Sequence, residues 1–166
     1  AVGLKTDNKI DPIGIDDRAP LLSWRPAGAR QAAYEIRAAH SADALRRGRA
    51  DVWRTGRVVS SSSADIPFTG SLTARESVAW QVRVWDGAGR VSPWSAPATF
   101  EMGLLEASDW SARWIENSSY DYTRPDGTES PLPVFGKAFT VHGRVAKARL
   151  YMTGPGMYAT SLNGSP

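Results

Sequence analysis

The chain has 166 residues and a net charge of +3, with 42% hydrophobic and 10% aromatic residues, which is typical of a folded globular protein. It has no cysteine, which excludes disulfides and cysteine-ligated zinc. No run of five like charges occurs, and no apolar run reaches membrane-spanning length, so we expect neither nucleic acid nor a membrane as a partner.

The first hundred residues contain short segments in which apolar and polar side chains alternate. Tyr34, Ile36 and Ala38 alternate with Glu35 and Arg37, which predicts a strand with one buried face. Similar extended segments lie at 20–26, 63–70, 78–85 and 97–102. Several short strands within about a hundred residues predict a β-sandwich, and their order fits a fibronectin type III-like (immunoglobulin-like) domain over residues 1–103.

Only the segment SADALRRG predicts a helix within this domain. Ser41 is a suitable N-cap residue and Gly48 a suitable stop. We therefore expect one or two helical turns inside a connection between strands.

The strand pattern also predicts where the large side chains of the sandwich point. Trp24 and Trp80 lie on the inward faces of their strands, whereas Trp85 lies on the other face and is expected to be partly exposed. Glu35 and Arg83 lie on outward faces of strands that are expected to be neighbours, so they are candidates for a cross-strand ion pair.

The character of the sequence changes at Gly103. Residues 104–166 hold a connector, a polar loop and alternating segments at 134–141 and 146–154, and the alternating segment 157–164 ends in Asn163-Gly164, a strong hairpin signal. These few strands would leave unpaired edges. We expect the beginning of a second, incomplete, jelly-roll-like β-sandwich within a longer protein.

Several motifs resemble, in order, the N-terminal region of the bacterial α-L-rhamnosidases of glycoside hydrolase family 78. They are DPIGIDDRAPLLSW (residues 11–24), WRTGRVVS (53–60), WQVRVWD (80–86), SPWS (92–95), EMGLLEASDWSARWI (101–115) and ARLYMTGPGMYATSLNG (148–164). The order and spacing of these pieces carry the resemblance. Asp11 departs from the family pattern, which has asparagine at this position, and Arg54-Thr55 departs from Asp-Ser.

The resemblance implies a parent enzyme that hydrolyses terminal α-L-rhamnose from glycosides with inversion, using acidic residues in a downstream (α/α)6-barrel. An inverting reaction needs a general acid and a general base facing each other across the sugar. We assign no catalytic residue to this chain and expect it to be inactive alone. Asp16, Asp17 and Asp109 are interpreted as turn and cap residues.

Four residues are candidates for contact with a carbohydrate. Trp110 and Trp114 could stack on sugar rings, although packing in a seam between domains is the stronger interpretation. Tyr120 and Asp121 lie on a polar loop where a calcium-assisted sugar site is conceivable, but their spacing matches no calcium-loop pattern. We therefore predict no cofactor and no metal site, and His40 and His142 are interpreted as ordinary surface or turn residues.

Three functional hypotheses remain open at this point. The chain is a non-catalytic segment that braces or positions the downstream catalytic domain, a module that binds rhamnose-containing glycans, or a generic fibronectin-like spacer. The first is favoured, and the sequence leaves the cellular location undetermined.

Overall fold

The computed structural model describes residues 1–28, 30–118 and 133–165. The chain divides into two compact units, Ala1–Arg113 and Trp114–Pro166. The domain boundary predicted after Gly103 stays a prediction. The strands assigned among the described residues all lie in the first unit: β1 (Val2–Thr6), β2 (Ile13–Ile15), β3 (Leu21–Arg25), β4 (Gln31–Ala39), β5 (Trp53–Arg54), β6 (Val58–Val59), β7 (Ile66–Pro67), β8 (Ser77–Asp86) and β9 (Ala98–Met102).

These strands form two sheets. The smaller sheet has the order β1-β3-β7, and the larger one has the order β2-β9-β8-β4-β5, with β6 also pairing with β4. All pairs are antiparallel except β2 with β9, which is parallel. The nearly all-β architecture that alternation predicts is confirmed, and β1, β2, β5 and β6 are additions that the sequence pattern did not indicate.

The main apolar core lies between the two sheets, and a smaller cluster lies beside α1. Trp24, Tyr34 and Trp80 are buried in the main core, as predicted, with exposed fractions of 3%, 7% and 0%. Each indole N–H finds a partner: Trp80 donates to the Thr6 hydroxyl at 3.1 Å, and Trp24 donates to the side-chain oxygen of Gln31 at 3.0 Å. Satisfied polar groups allow these large rings to be buried without an unpaired donor.

The outward face of the larger sheet is built on the long pairing of β4 with β8. Glu35 is opposite Arg83 in this register, and the Arg83 guanidinium donates to the Glu35 carboxylate at 2.6–2.7 Å. The predicted cross-strand ion pair is therefore confirmed. Trp85 is half-buried on the same face, also as predicted.

Local signals in the sequence give the expected local structures. The helix α1 (Ala42–Arg46) begins after Ser41, whose hydroxyl accepts from the Ala44 N–H at 3.1 Å. It ends before Gly48, which has φ +77°, the left-handed conformation that favours glycine after a helix. Within the described residues, no helix is long and apolar enough to cross a membrane.

The second unit differs from the sequence prediction. The strands expected at 134–141 and 146–154 are not formed among residues 133–165, and the apolar side chains there are largely exposed. An extended segment becomes a strand only when a neighbour pairs with its backbone. The Asn163-Gly164 turn is present: both residues have positive φ, and Leu162 and Ser165 exchange two backbone hydrogen bonds.

Candidate functional site

The first candidate feature is the exit segment, residues 103–110, where the chain leaves the sandwich. Gly103 donates its N–H to the Ile15 carbonyl at 2.6 Å and accepts from the Arg75 N–H at 3.0 Å. A Cβ at position 103 would lie 3.2 Å from backbone atoms of Gly14. Only glycine allows this close approach without displacing β2, so the exit begins in tight contact with the sandwich.

Asp109 closes the exit segment into a turn. Its carboxylate accepts from the N–H groups of Leu105 and Glu106, both at 2.9 Å, around the 3₁₀ turn Ala107–Asp109. These two backbone hydrogen bonds are the main cause of the lowered pKa of Asp109, with smaller contributions from neighbouring arginines. The interpretation of Asp109 as a cap rather than a catalytic acid agrees with this geometry.

Two arginines tie the exit segment to separate loops of the sandwich. Arg75, between β7 and β8, donates to the Asp109 carbonyl at 2.5 Å. Arg18, between β2 and β3, forms an ion pair with Glu106. Arg75 has φ +64°, an uncommon conformation for a residue with a side chain. We call Arg18, Arg75, Gly103, Glu106 and Asp109 the exit clamp.

We expect the exit segment to loosen when Asp109 is replaced by alanine, because Leu105 and Glu106 lose their acceptor. Hydrogen exchange followed by NMR should show faster exchange of these two amides, while the Val82 amide in β8 stays protected. Lowering the pH should also loosen the exit segment, measured as a lower protection factor for the Leu105 and Glu106 amides. A carboxyl with a lowered pKa stabilises the fold above its unfolded-state pKa and loses that contribution as the pH falls through its folded pKa. Unchanged exchange in the alanine variant would contradict the clamp.

The second candidate feature is on the outward side of the larger sheet, where arginines stack on tryptophans. We call it the arginine face, and it consists of Arg37, Arg54, Arg57, Arg83, Trp85 and Trp94. The Trp94 ring lies 4.2 Å from the Arg37 guanidinium and 4.7 Å from that of Arg83. The Trp85 ring lies 5.1 Å from Arg83 and 5.2 Å from Arg57. These are cation–π distances.

Two of the four residues predicted to contact carbohydrate lie in the described part of the chain. Trp110 and Trp114 are exposed, at 40% and 74%, so their rings are accessible in the described chain. Tyr120 and Asp121 lie outside the described residues. The role of all four in sugar contact stays a prediction.

The histidines and acidic residues of the described ranges take part in local contacts. His40 contacts Asp51 at 3.3 Å and Glu76 at 3.4 Å, which its sequence position did not indicate. Asp17 accepts from the Ala19 N–H at 2.8 Å, as a turn residue does. No group of three metal-ligating side chains was found among the described residues.

Sequence reasoning missed most of the exit clamp. Arg18 lies within the motif DPIGIDDRAPLLSW and Arg75 lies in none of the quoted motifs, but nothing in the sequence indicates their partners, which are 88 and 34 residues away. Asp11, noted only as a departure from the family pattern, accepts from both the N–H and the hydroxyl of Thr99, at 2.7 and 3.0 Å. It thereby joins the segment before β2 to β9, beside the exit.

The chain is similar to longer proteins of one kind. The alpha-L-rhamnosidase of Streptomyces avermitilis is 36% identical over 175 residues, covering 93% of this chain and 17% of that protein. An alpha-L-rhamnosidase of Formosa agariphila is 36% identical over 177 residues, covering 94% of this chain and 19% of its own length. This chain therefore spans about a fifth of these relatives or less.

A solved structure agrees with the sequence comparison. The Streptomyces avermitilis alpha-L-rhamnosidase in complex with L-rhamnose matches with a TM-score of 0.65 and 43% identity, over 69% of this chain and 12% of that one. The family model "Rha78A-like, N-terminal immunoglobulin domain" matches residues 1–106, which is more than half of the chain. The chain therefore belongs to the family of Rha78A-like N-terminal immunoglobulin domains.

Proposed function

We propose that this chain is the non-catalytic N-terminal part of an α-L-rhamnosidase, and that it braces the catalytic domain that follows. The observation that carries the proposal is the exit clamp. A domain can position its neighbour only if the connection between them is stiff. Here the exit segment is fixed by backbone hydrogen bonds, a buried glycine contact and two arginines from different loops.

The names and lengths of the relatives support the same proposal. The chain matches a small part of proteins called alpha-L-rhamnosidases. Two of the three aspartates considered in the sequence, moreover, have a structural role. Asp17 and Asp109 are engaged in turns, and an inverting hydrolase needs two carboxyl groups separated by a sugar and a water molecule.

The first experiment measures release of the chromophore from an aryl α-L-rhamnoside by the purified chain. We expect no turnover, because the catalytic acids belong to the downstream domain. Activity that co-purifies with this chain and survives further purification would overturn the proposal.

The second experiment tests bracing in the longer enzyme. Replacing Arg75 by alanine should shorten the half-life of rhamnosidase activity on heating, because the exit segment loses one of its two arginine ties. The matched control is Arg46→Ala, an exposed arginine on α1, which should leave the half-life unchanged. Equal half-lives for the Arg75 variant and the unmodified enzyme would favour a spacer without a bracing role.

Carbohydrate binding is the second candidate function, because Trp110 and Trp114 expose their rings and an aromatic face suits the C–H side of a pyranose. Titration with L-rhamnose, with and without calcium, distinguishes the two functions. Saturable quenching of tryptophan fluorescence that is lost in Trp114→Ala would favour binding, and the absence of any change would leave bracing.

A further inference from the structure

The arginine face carries a charge arrangement that does not stabilise the isolated chain. Arg37 in β4 and Arg54 in β5 are directly opposite each other, and like charges at such positions repel. Burial is the first cause of the lowered pKa of Arg37, and repulsion from Arg54 and Arg83 follows. Among the described residues, Glu35 is the one carboxylate in an ion pair with an arginine of this face, through Arg83, so three of the four guanidinium charges have no carboxylate partner there.

Neighbouring groups hold the inner part of this face in place. Arg37 donates to the Gln81 side-chain oxygen at 3.1 Å and to the Leu45 carbonyl at 3.1 Å, and Trp94 stacks on its guanidinium. Arg83 is held by Glu35 and by both tryptophan rings. Side chains that are ordered before binding lose little conformational entropy when a partner arrives.

The outer part of the face is open. Arg54 and Arg57 are exposed, and no carboxylate of the described chain pairs with either of them. Arg57 contacts the Trp85 ring. The face thus presents two guanidinium groups with free N–H donors beside ordered aromatic rings.

We propose that the arginine face docks an acidic protein segment, whose carboxylates pair with Arg54 and Arg57. Charge complementarity sets the sign of the partner, since added carboxylates would relieve the repulsion on Arg37. Guanidinium groups bind carboxylates through paired hydrogen bonds. A combination of arginine and tryptophan is typical of the residues that dominate protein–protein affinity, which favours a protein over a polysaccharide or a nucleic acid. The proposal is independent of the proposed function.

The test is a titration of the purified chain with a short glutamate-rich peptide, followed by the indole N–H signals of Trp85 and Trp94 in NMR spectra. We expect saturable shifts of both signals. Arg54→Gln/Arg57→Gln should weaken binding about tenfold, the effect of losing two exposed ion pairs. The control Lys5→Gln/Arg25→Gln removes the same charge from exposed positions on the smaller sheet and should leave the affinity unchanged.

Several outcomes would overturn the proposal. Equal weakening by both double variants would show that net charge alone attracts the peptide. Unshifted Trp85 and Trp94 signals would place binding elsewhere. Tighter binding of polygalacturonate or single-stranded DNA than of the peptide, lost in the Arg54/Arg57 variant, would assign the face to a different class of partner. All four substituted positions are exposed, and an unchanged circular dichroism spectrum confirms that each double variant is folded.

Discussion

Replacing Trp80 by alanine is expected to lower the free energy of unfolding by about 3–5 kcal/mol, the usual cost of truncating a buried aromatic side chain. Trp80 is fully buried at the centre of β8, and the core around it is made by both sheets. The loss comes from the removed apolar contacts and from the cavity that remains. Urea unfolding followed by far-UV circular dichroism measures it.

Two further variants separate packing from hydrogen bonding at this position. Thr6→Val removes the acceptor of the Trp80 indole N–H and should cost about 1–3 kcal/mol, because the donor is left buried and unpaired. Trp114→Ala makes the same truncation at a ring that is 74% exposed, and surface changes usually stay within about 0.5 kcal/mol. A similar loss for Trp80→Ala and Trp114→Ala would contradict the placement of the core.

Replacing Gly70 by alanine is expected to destabilise the sandwich by about 1–3 kcal/mol, the usual cost of overpacking a filled core. A Cβ at this position would lie 2.7 Å from a ring carbon of Phe68 and 2.9 Å from Cβ of Trp53. Phe68 is fully buried and packs against Trp53 and Phe100, so its ring has little room to move. The same urea titration measures the change.

The matched control for this prediction is Gly87→Ala. Nothing lies within 4 Å of a Cβ at position 87, and its φ is outside the left-handed range. The free energy of unfolding of the Gly87→Ala variant should change little, or rise slightly because alanine restricts the unfolded chain. Equal effects at positions 70 and 87 would show that loss of glycine itself, and not the contact with Phe68, controls stability.

The core was predictable from the sequence because alternation is a local property. Period two over β4 and β8 indicates which side chains face inward, and it also places Glu35 opposite Arg83 once the two strands pair. The helix start at Ser41, the helix stop at Gly48 and the Asn163-Gly164 turn were predictable for the same reason, since each depends on the chemistry of adjacent residues.

The exit clamp and the arginine face were not predictable, because both depend on residues that only the folded chain brings together. The strand β2 has three residues, too few for periodicity to be read. Arg54 faces Arg37 only through the pairing of β5 with β4. In the second unit the strands that alternation predicts at 134–141 and 146–154 are not formed, because a local preference for extended structure makes no strand without a neighbour to pair with.

The parallel pairing of β2 with β9 has a consequence for how the protein is made. Ile13 meets Glu101 and Ile15 meets Met102, so one edge of the larger sheet joins residues made early by the ribosome to residues made much later. Domains fold as units while the chain emerges, and contacts between distant residues form slowly. The pairing of β2 with β9 therefore cannot form during synthesis until Met102 has emerged from the ribosome, so this edge of the larger sheet closes late.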